Sequence, residues 1–204
     1  MTENAELMNM ARESLRGKWG LAIATIVVLT ILLAIASVIP LASLVVSGPF
    51  TLGLAIFTLS ISRNREAKLE QIFDGFRNFG NSLVAYLLML IFVLLWMLLL
   101  IIPGIIAAIS YAMTFYIMAD NPEIGPMDAI DKSKAMMDGY KWKYFRLQLR
   151  IFGWALLCIL TLGIGLFWLA PWAEVSAAKF YDDIKDRPAN AEVPSADPTP
   201  APAE

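Results

Sequence analysis

Residues 19–62 read WGLAIATIVVLTILLAIASVIPLASLVVSGPFTLGLAIFTLSIS, and this stretch decides the fold class because its 44 residues include no Asp, Glu, Lys or Arg. One membrane-spanning helix needs about 20 apolar residues, so the stretch is long enough for two. The triplet Ser47-Gly48-Pro49 near its middle is typical of a tight turn. The pattern therefore predicts a helical hairpin over residues 20–62, with its tip near Gly48.

Two further uncharged stretches extend the pattern. Residues 78–119 carry no charge and have Pro103 and a glycine near their middle, which predicts a second hairpin over residues 80–119. Residues 151–173 are also uncharged and contain a glycine-bearing turn, which predicts a third hairpin over residues 147–182. We therefore predict an all-α, polytopic membrane protein whose six transmembrane helices form three helical hairpins.

The composition agrees with a membrane protein and excludes several kinds of site. Of the 204 residues, 58% are hydrophobic and 17% are charged, against roughly 45–50% and 25% in a typical soluble domain. The net charge of −2 offers no basic field for nucleic acid. The chain has no histidine and one cysteine, which argues against His-based triads and the usual zinc or haem sites. We predict no cofactor, no metal site, no nucleic-acid partner and no enzyme activity.

The distribution of basic residues predicts the orientation in the membrane. All 16 Lys and Arg residues lie outside the proposed hairpin tips, in residues 1–18, 63–77, 120–150 and 174–204. Because basic residues near span ends mark the cytoplasmic side, three hairpins place all of them inside, together with both termini. Five spans would instead place Lys179, Lys185 and Arg187 outside. The charge distribution therefore favours six spans.

Each predicted hairpin is preceded by an amphipathic segment, which we call a lead-in segment. The three read RESLRGKWG (residues 12–20), IFDGFRNFG (72–80) and MMDGYKWKY (136–144). They predict helices at the headgroup level and favour one unit repeated three times, although aromatic and basic residues also collect at the interfaces of any helical bundle. We expect a single helical membrane domain over residues 1–184 and a disordered cytoplasmic tail over residues 185–204, where Pro and Ala dominate.

The third lead-in segment continues into a cluster of basic and aromatic side chains. This first candidate site consists of Lys141, Trp142, Lys143, Arg146 and Arg150. Lys and Arg near a membrane surface attract anionic headgroups, so the cluster predicts a lipid-facing contact. The same residues also suit the ordinary signal that fixes orientation, and the sequence leaves both interpretations open.

Glu174 is the second candidate site, because ionisable groups within membrane spans are costly and mark functional positions. It follows the third uncharged stretch and lies nine residues beyond Gly165, about 13–14 Å along a helix. One interpretation makes it a proton or cation site that faces the bundle interior. The other places it among the headgroups, or keeps it neutral through hydrogen bonds.

Several motifs resemble one known bacterial family. They are RESLRGKWG (residues 12–20), FDGFRNF (73–79), LLIIPGIIAAISYAMTFYIMADNPEI (99–124), SKAMMDGYKWKYFRLQL (133–149) and GWALLCILTLGIGLFWLAPW (153–172). Together they resemble the membrane family called domain of unknown function 975. The resemblance implies an all-helical protein of the bacterial cytoplasmic membrane and supplies no catalytic residues. A more distant similarity to the membrane domain fused to some glycerophosphodiester phosphodiesterases suggests a lipid-related context without an activity.

Two functions follow from these observations. We expect a non-enzymatic membrane protein that interacts, through its cytoplasmic-side amphipathic helices, with membrane lipids, other membrane proteins or a second copy of itself. The alternative is a small-solute or ion transporter or channel that uses Glu174. A transporter should have a cavity lined by discontinuous helices, whereas a dry and tightly packed interior would count against it.

Overall fold

A computed structural model of the protein describes residues 2–39, 41–160 and 163–187. Within them every regular element is a helix, which confirms the all-α class. Most of the predicted disordered tail, from residue 188 onwards, lies outside the described residues. The helices are α1 (Asn4–Ser14), α2 (Trp19–Ser37), α3 (Ala42–Ser62), α4 (Gln71–Asp74), α5 (Phe79–Leu99), α6 (Ile101–Tyr111), α7 (Thr114–Asp120), α8 (Pro126–Met136), α9 (Lys141–Leu160) and α10 (Leu166–Ile184), with a 3-10 turn at Gly75–Asn78.

Within the described residues, four segments are long and apolar enough to cross a membrane. They are α2, α3, the continuous segment Gln71–Leu99 that ends with α5, and the segment Ile101–Asp120 that contains α6 and α7. Helices α9 and α10 fall outside this group. The first ten residues of α9 include four basic ones, and α10 contains Glu174, Lys179 and two aspartates. The apolar helices agree with a membrane protein.

The first interhelical turn does not lie where the sequence predicts it. Helix α2 ends at Ser37 and α3 begins at Ala42, after Leu41 with a left-handed φ of 71°. Gly48 and Pro49 lie inside α3 instead. The glycine serves close packing rather than a turn, since a Cβ at Gly48 would come within 2.5 Å of the carbonyl oxygen of Ser82.

The other two turns lie close to their predicted positions. Between α5 and α6 the chain is extended at Leu100, and Pro103 occupies the first turn of α6, where a helix leaves its N–H groups unbonded. Before α10 the chain turns at Gly163, whose φ of 81° favours glycine. Thr161 and Leu162, which belong to the same predicted turn, lie outside the described residues.

The packing places α3, α7 and α10 at the centre, and we call these the central helices. Helix α3 packs against α7 and α10, and the Tyr116 ring of α7 stacks on the Tyr181 ring of α10 with centroids 5.6 Å apart. Each short helix of the lead-in segments packs on a central helix: α4 on α3, α8 on α7, and α1 on α10. Because α1 contacts the last central helix, the N-terminal and C-terminal parts of the chain close a ring.

The apolar sides of the short helices face the protein. Leu7 of α1, Ile72 of α4 and Ile130 of α8 are each at most 2% exposed. Ile72 fits against Gly53 of α3, whose missing side chain lets the two backbones come together. A helix at the headgroup level would turn its apolar side to the acyl chains, but these three side chains face the protein. Phe73 of α4 remains exposed.

Candidate functional site

A cluster of charged and polar side chains joins the C-terminal ends of the three central helices. The guanidinium of Arg63 makes two hydrogen bonds to Asp120, of 2.6 and 2.7 Å, and two to Asp182, of 3.0 and 2.8 Å. Ser62 donates to Asp182 at 2.9 Å, and the Tyr181 hydroxyl donates to Asp120 at 3.1 Å. Paired, charge-assisted hydrogen bonds of this kind fix geometry well, so the three helix ends are held at one level. We call this the Arg63 cluster.

Sequence reasoning missed the Arg63 cluster, although part of a signal exists. Arg63 and Asp120 are the first charged residues after the two long uncharged stretches. Their opposite charges are compatible with an ion pair. Asp182 does not directly follow an uncharged stretch, so the sequence does not indicate that it belongs to the cluster. Its partner Arg63 is 119 residues away along the chain.

The structure removes Lys143 from the predicted lipid-facing cluster. Its ammonium lies 2.8 Å from Asp183 of α10, and the two side chains are only 8% and 7% exposed. The same ammonium lies 5.4 Å from the centre of the Phe180 ring. A lysine buried in this way contributes to the packing of α9 on α10 and cannot contact a headgroup.

Asp183 accepts further hydrogen bonds at the same place. The Thr2 hydroxyl and the Arg187 guanidinium both donate to it at 2.8 Å. Burial by itself would raise the pKa of Asp183, but the hydrogen bonds from Lys143 and Thr2 and the charges of Lys143 and Arg187 outweigh it. The pKa of Asp183 is therefore lower than its ordinary value, and the carboxylate is ionised at neutral pH.

The remaining members of the predicted cluster lie on two sides of α9. Lys141 forms an ion pair of 3.5 Å with Asp138 and lines a small cavity beside α6 and α8. Trp142, Arg146 and Arg150 are exposed and follow each other at four-residue spacing, so they share one face of the helix. The structure therefore brings three of the five predicted residues together.

The face that carries Arg146 and Arg150 continues into a shallow groove. Gly153 leaves open space there, and Arg150, Trp154, Leu156 and Leu157 surround a volume of about 490 Å³. In the part of the chain that the structure describes, neither arginine has a carboxylate partner. We call this surface, from Trp142 to Leu157, the arginine stripe. It combines two unpaired cations with an apolar groove directly below them.

Glu174 lines a cavity that has a volume of about 580 Å³. The cavity lies between α3, α5, α6, α7, α9 and α10. Most of its walls are apolar, and its polar groups are those of Thr51, Tyr86, Tyr116, Tyr144, Gln148 and Glu174. Glu174 therefore faces the interior of the bundle, as one of the two sequence interpretations requires.

The polar groups beside Glu174 are partly engaged with one another. Gln148 donates from its amide to the Tyr144 hydroxyl at 2.7 Å. The Tyr116 hydroxyl lies 3.5 Å from the backbone carbonyl oxygen of Glu174. No hydrogen bond or ion pair to the Glu174 carboxylate is found within the described residues. The carboxylate therefore faces a cavity without a protein counter-ion.

A helix break adjoins the cavity. Between α6 and α7 the chain turns at Ala112 and Met113, and Ala112 lines the cavity. Ser133 of α8 stabilises the break, because its hydroxyl accepts from the Met113 N–H at 3.2 Å and donates to the Ser110 carbonyl at 2.8 Å. The interior therefore contains a cavity, and a discontinuous helix forms part of its wall.

In the part of the chain that is described, no three His, Cys, Asp or Glu residues lie together as metal ligands would. No curated protein and no solved structure matches the chain. A family described as "Protein of unknown function (DUF975)" matches residues 1–113 and residues 97–188. These overlapping matches include every described helix, so the chain belongs to the DUF975 family.

Proposed function

We propose that the protein is a non-enzymatic integral membrane protein that crosses the bacterial cytoplasmic membrane six times and binds an anionic phospholipid on its arginine stripe. In this arrangement the three hairpins are α2 with α3, α5 with α6 and α7, and α9 with α10. Both termini and the Arg63 cluster face the cytoplasm. The observation that carries the lipid proposal is the pair Arg146 and Arg150, exposed and unpaired above an apolar groove.

The Arg63 cluster supports the proposed topology. Its hydrogen bonds bring the C-terminal ends of α3, α7 and α10 to one level, which is the geometry of three helices that leave the membrane on the same side. At 1.5 Å per residue, the 21 residues of α3 extend about 31 Å, close to the roughly 30 Å hydrocarbon core. The basic residues that follow each central helix indicate that this side is the cytoplasm.

The arginine stripe suits a phospholipid because its charge and its groove are aligned. The phosphate would lie between Arg146 and Arg150, neither of which forms an ion pair with a described residue. One acyl chain would follow the groove over Gly153 between Trp154 and Leu157. Trp142, which is 66% exposed and stacks on Phe145, suits the headgroup region, where amphipathic rings collect.

Lipid retention tests this proposal. The purified protein is equilibrated in neutral detergent with equal amounts of phosphatidylglycerol and phosphatidylcholine, and the retained lipids are quantified by mass spectrometry. We expect the wild type to retain phosphatidylglycerol selectively. The double variant Arg146→Gln/Arg150→Gln should lose about 2 kcal/mol, or about 30-fold in binding constant, because each basic residue near a headgroup adds about 1 kcal/mol.

A charge-matched control distinguishes a specific lipid site from general electrostatic attraction of the anionic lipid to the protein. Arg16 and Lys132 are both exposed and lie away from α9, so Arg16→Gln/Lys132→Gln changes the net charge equally. Equal loss of phosphatidylglycerol in both double variants would contradict a site on the arginine stripe. Retention that depends only on Arg146 and Arg150 is the expected result.

The second candidate function is a small-solute or ion transporter that uses Glu174. The observation in its favour is the cavity of about 580 Å³, which is bordered by the break between α6 and α7. Transporter sites commonly lie beside discontinuous helices. Proteoliposomes with an internal pH dye test the simplest case, which is proton transport. Proton flux that Glu174→Gln abolishes would support transport. Wild-type vesicles that are no more permeable to protons than protein-free vesicles would count against a proton carrier.

A further inference from the structure

We infer that the Glu174 cavity binds an amphiphilic organic cation, which it admits from the membrane. This inference goes beyond the proposed phospholipid contact, because it concerns the interior of the bundle and a ligand of opposite charge. Three observations support it: the residues that line the cavity, the position of its opening, and the lack of a counter-ion for Glu174 among the described residues.

The electrostatics of the cavity select a cation. Glu174 is the one acidic residue among those that line the cavity, and no Lys or Arg lies among them. A carboxylate in an apolar site is costly unless a partner compensates it. Since the described residues supply no such partner, a bound cation would complete the site.

The walls of the cavity suit the rest of such a ligand. Four aromatic residues, Tyr86, Phe115, Tyr116 and Tyr144, line it, and aromatic rings attract organic cations. The other walls are largely aliphatic, with Leu54, Met89, Leu90 and Val93 among them. A volume of about 580 Å³ lies within the range of cavities that hold drug-sized molecules.

The opening of the cavity indicates the route of entry. Ala108 of α6 and Gln148 of α9 both line the cavity and are both exposed. They lie among exposed apolar residues of the same two helices, including Ile105 and Leu149. A ligand that enters here would come from the apolar phase, which favours an amphiphile over a hydrated inorganic ion.

A pair of probes with equal shape and opposite charge tests the inference. The protein is placed in nanodiscs of neutral phosphatidylcholine, and binding of radiolabelled tetraphenylphosphonium is measured against empty nanodiscs. Tetraphenylborate is the control for shape. We expect saturable binding of the phosphonium, at least tenfold weaker binding in Glu174→Gln, and no saturable binding of the borate. Glu123→Gln removes an exposed charge and should bind as the wild type does.

A second variant keeps the test informative if Glu174→Gln does not fold. Ala108→Trp adds bulk at the exposed mouth of the cavity and should also weaken phosphonium binding at least tenfold. The inference is overturned if the wild type shows no saturable binding, if tetraphenylborate binds equally well, or if folded Glu174→Gln or Ala108→Trp protein binds with wild-type affinity. None of these outcomes depends on the arginine stripe, whose test uses other residues and another ligand.

Discussion

Asp183 and Lys143 form a buried ion pair that links α9 to α10, while Thr2 ties the N-terminal segment to the same carboxylate. Removing one member of such a pair leaves the other charge buried without a partner. We expect Asp183→Asn to lower the free energy of unfolding by about 3 kcal/mol. Reversible unfolding in mixed micelles measures this difference.

Asp138 provides the control for this prediction. It pairs with Lys141 at 3.5 Å on the surface, where its side chain is 65% exposed. Asp138→Asn should change the unfolding free energy by at most about 0.5 kcal/mol, because solvent screens exposed pairs. Equal effects of the two substitutions would show that the Asp183 pair is not buried in the folded protein.

The lowered pKa of Asp183 predicts that the difference in unfolding free energy between wild type and Asp183→Asn depends on pH. A group whose pKa is lower in the folded state stabilises that state fully above its ordinary pKa and loses the contribution as pH falls through the folded value. The stability gap between wild type and Asp183→Asn should therefore be constant from about pH 5 to 7.5 and shrink below about pH 4. A gap that widens on acidification would contradict the assigned interactions.

At the scale of single residues, the sequence predicts which side chains are unusual but not always what they contact. Glu174 stands out because it is a carboxylate beside an apolar stretch, and the structure places it on a cavity. Lys143 looks like its exposed neighbours Trp142 and Arg146 in the sequence. Its burial depends on Asp183, which lies 40 residues away and has no local signal.

At the scale of helices, the packing of α4 on α3 depends on glycine. A Cβ at Gly53 would overlap the backbone carbonyl of Ile72, and one at Gly75 would overlap the carbonyl oxygen of Pro49. Neither backbone can give way as a flexible side chain would. We expect Gly53→Ala to destabilise the protein by about 1–3 kcal/mol, the usual cost of overpacking.

Gly80 is the matched control in the next helix. It lies in α5, and a Cβ there meets nothing within 4 Å. Gly80→Ala should leave stability unchanged or raise it by up to about 1 kcal/mol, because alanine favours helix over glycine. Thermal unfolding of both variants in detergent measures the contrast, and a Gly53→Ala protein as stable as Gly80→Ala would refute the close approach of α4 to α3.

The helices also show why one turn was wrongly predicted. Gly and Pro favour turns locally, and Gly48-Pro49 lies near the middle of a 44-residue stretch. The structure uses the glycine for contact with α5 instead, while the chain turns near Leu41. Length and charge predict how many helices a stretch holds, whereas the position of a turn also depends on tertiary contacts.

At the scale of the whole molecule, the lead-in segments show a partial repeat. Gly17 and Gly139 both have left-handed φ values near 80° and end the first and third short helices. Gly75 holds the corresponding place in the second segment but has an α-helical φ and serves close packing. The sequence motif is therefore shared while the conformation is not. The contacts of α10 with α1, α2 and α3 reveal how the last unit meets the first.

The six-crossing arrangement is the central proposal, and site-directed labelling tests it most directly. In a Cys158→Ala background, single cysteines replace Ile39, Ile101 and Ile164, one exposed residue at each turn between helices. A second set replaces Arg65, Asn121 and Lys185, which follow the central helices. Intact cells are treated with a membrane-impermeant maleimide before and after permeabilisation.

The proposed topology predicts labelling of Ile39→Cys, Ile101→Cys and Ile164→Cys in intact cells, and labelling of the second set only after permeabilisation. External labelling of Lys185→Cys would contradict six crossings and favour five. Protection of Ile101→Cys in intact cells would mean that the second hairpin does not reach the outer surface.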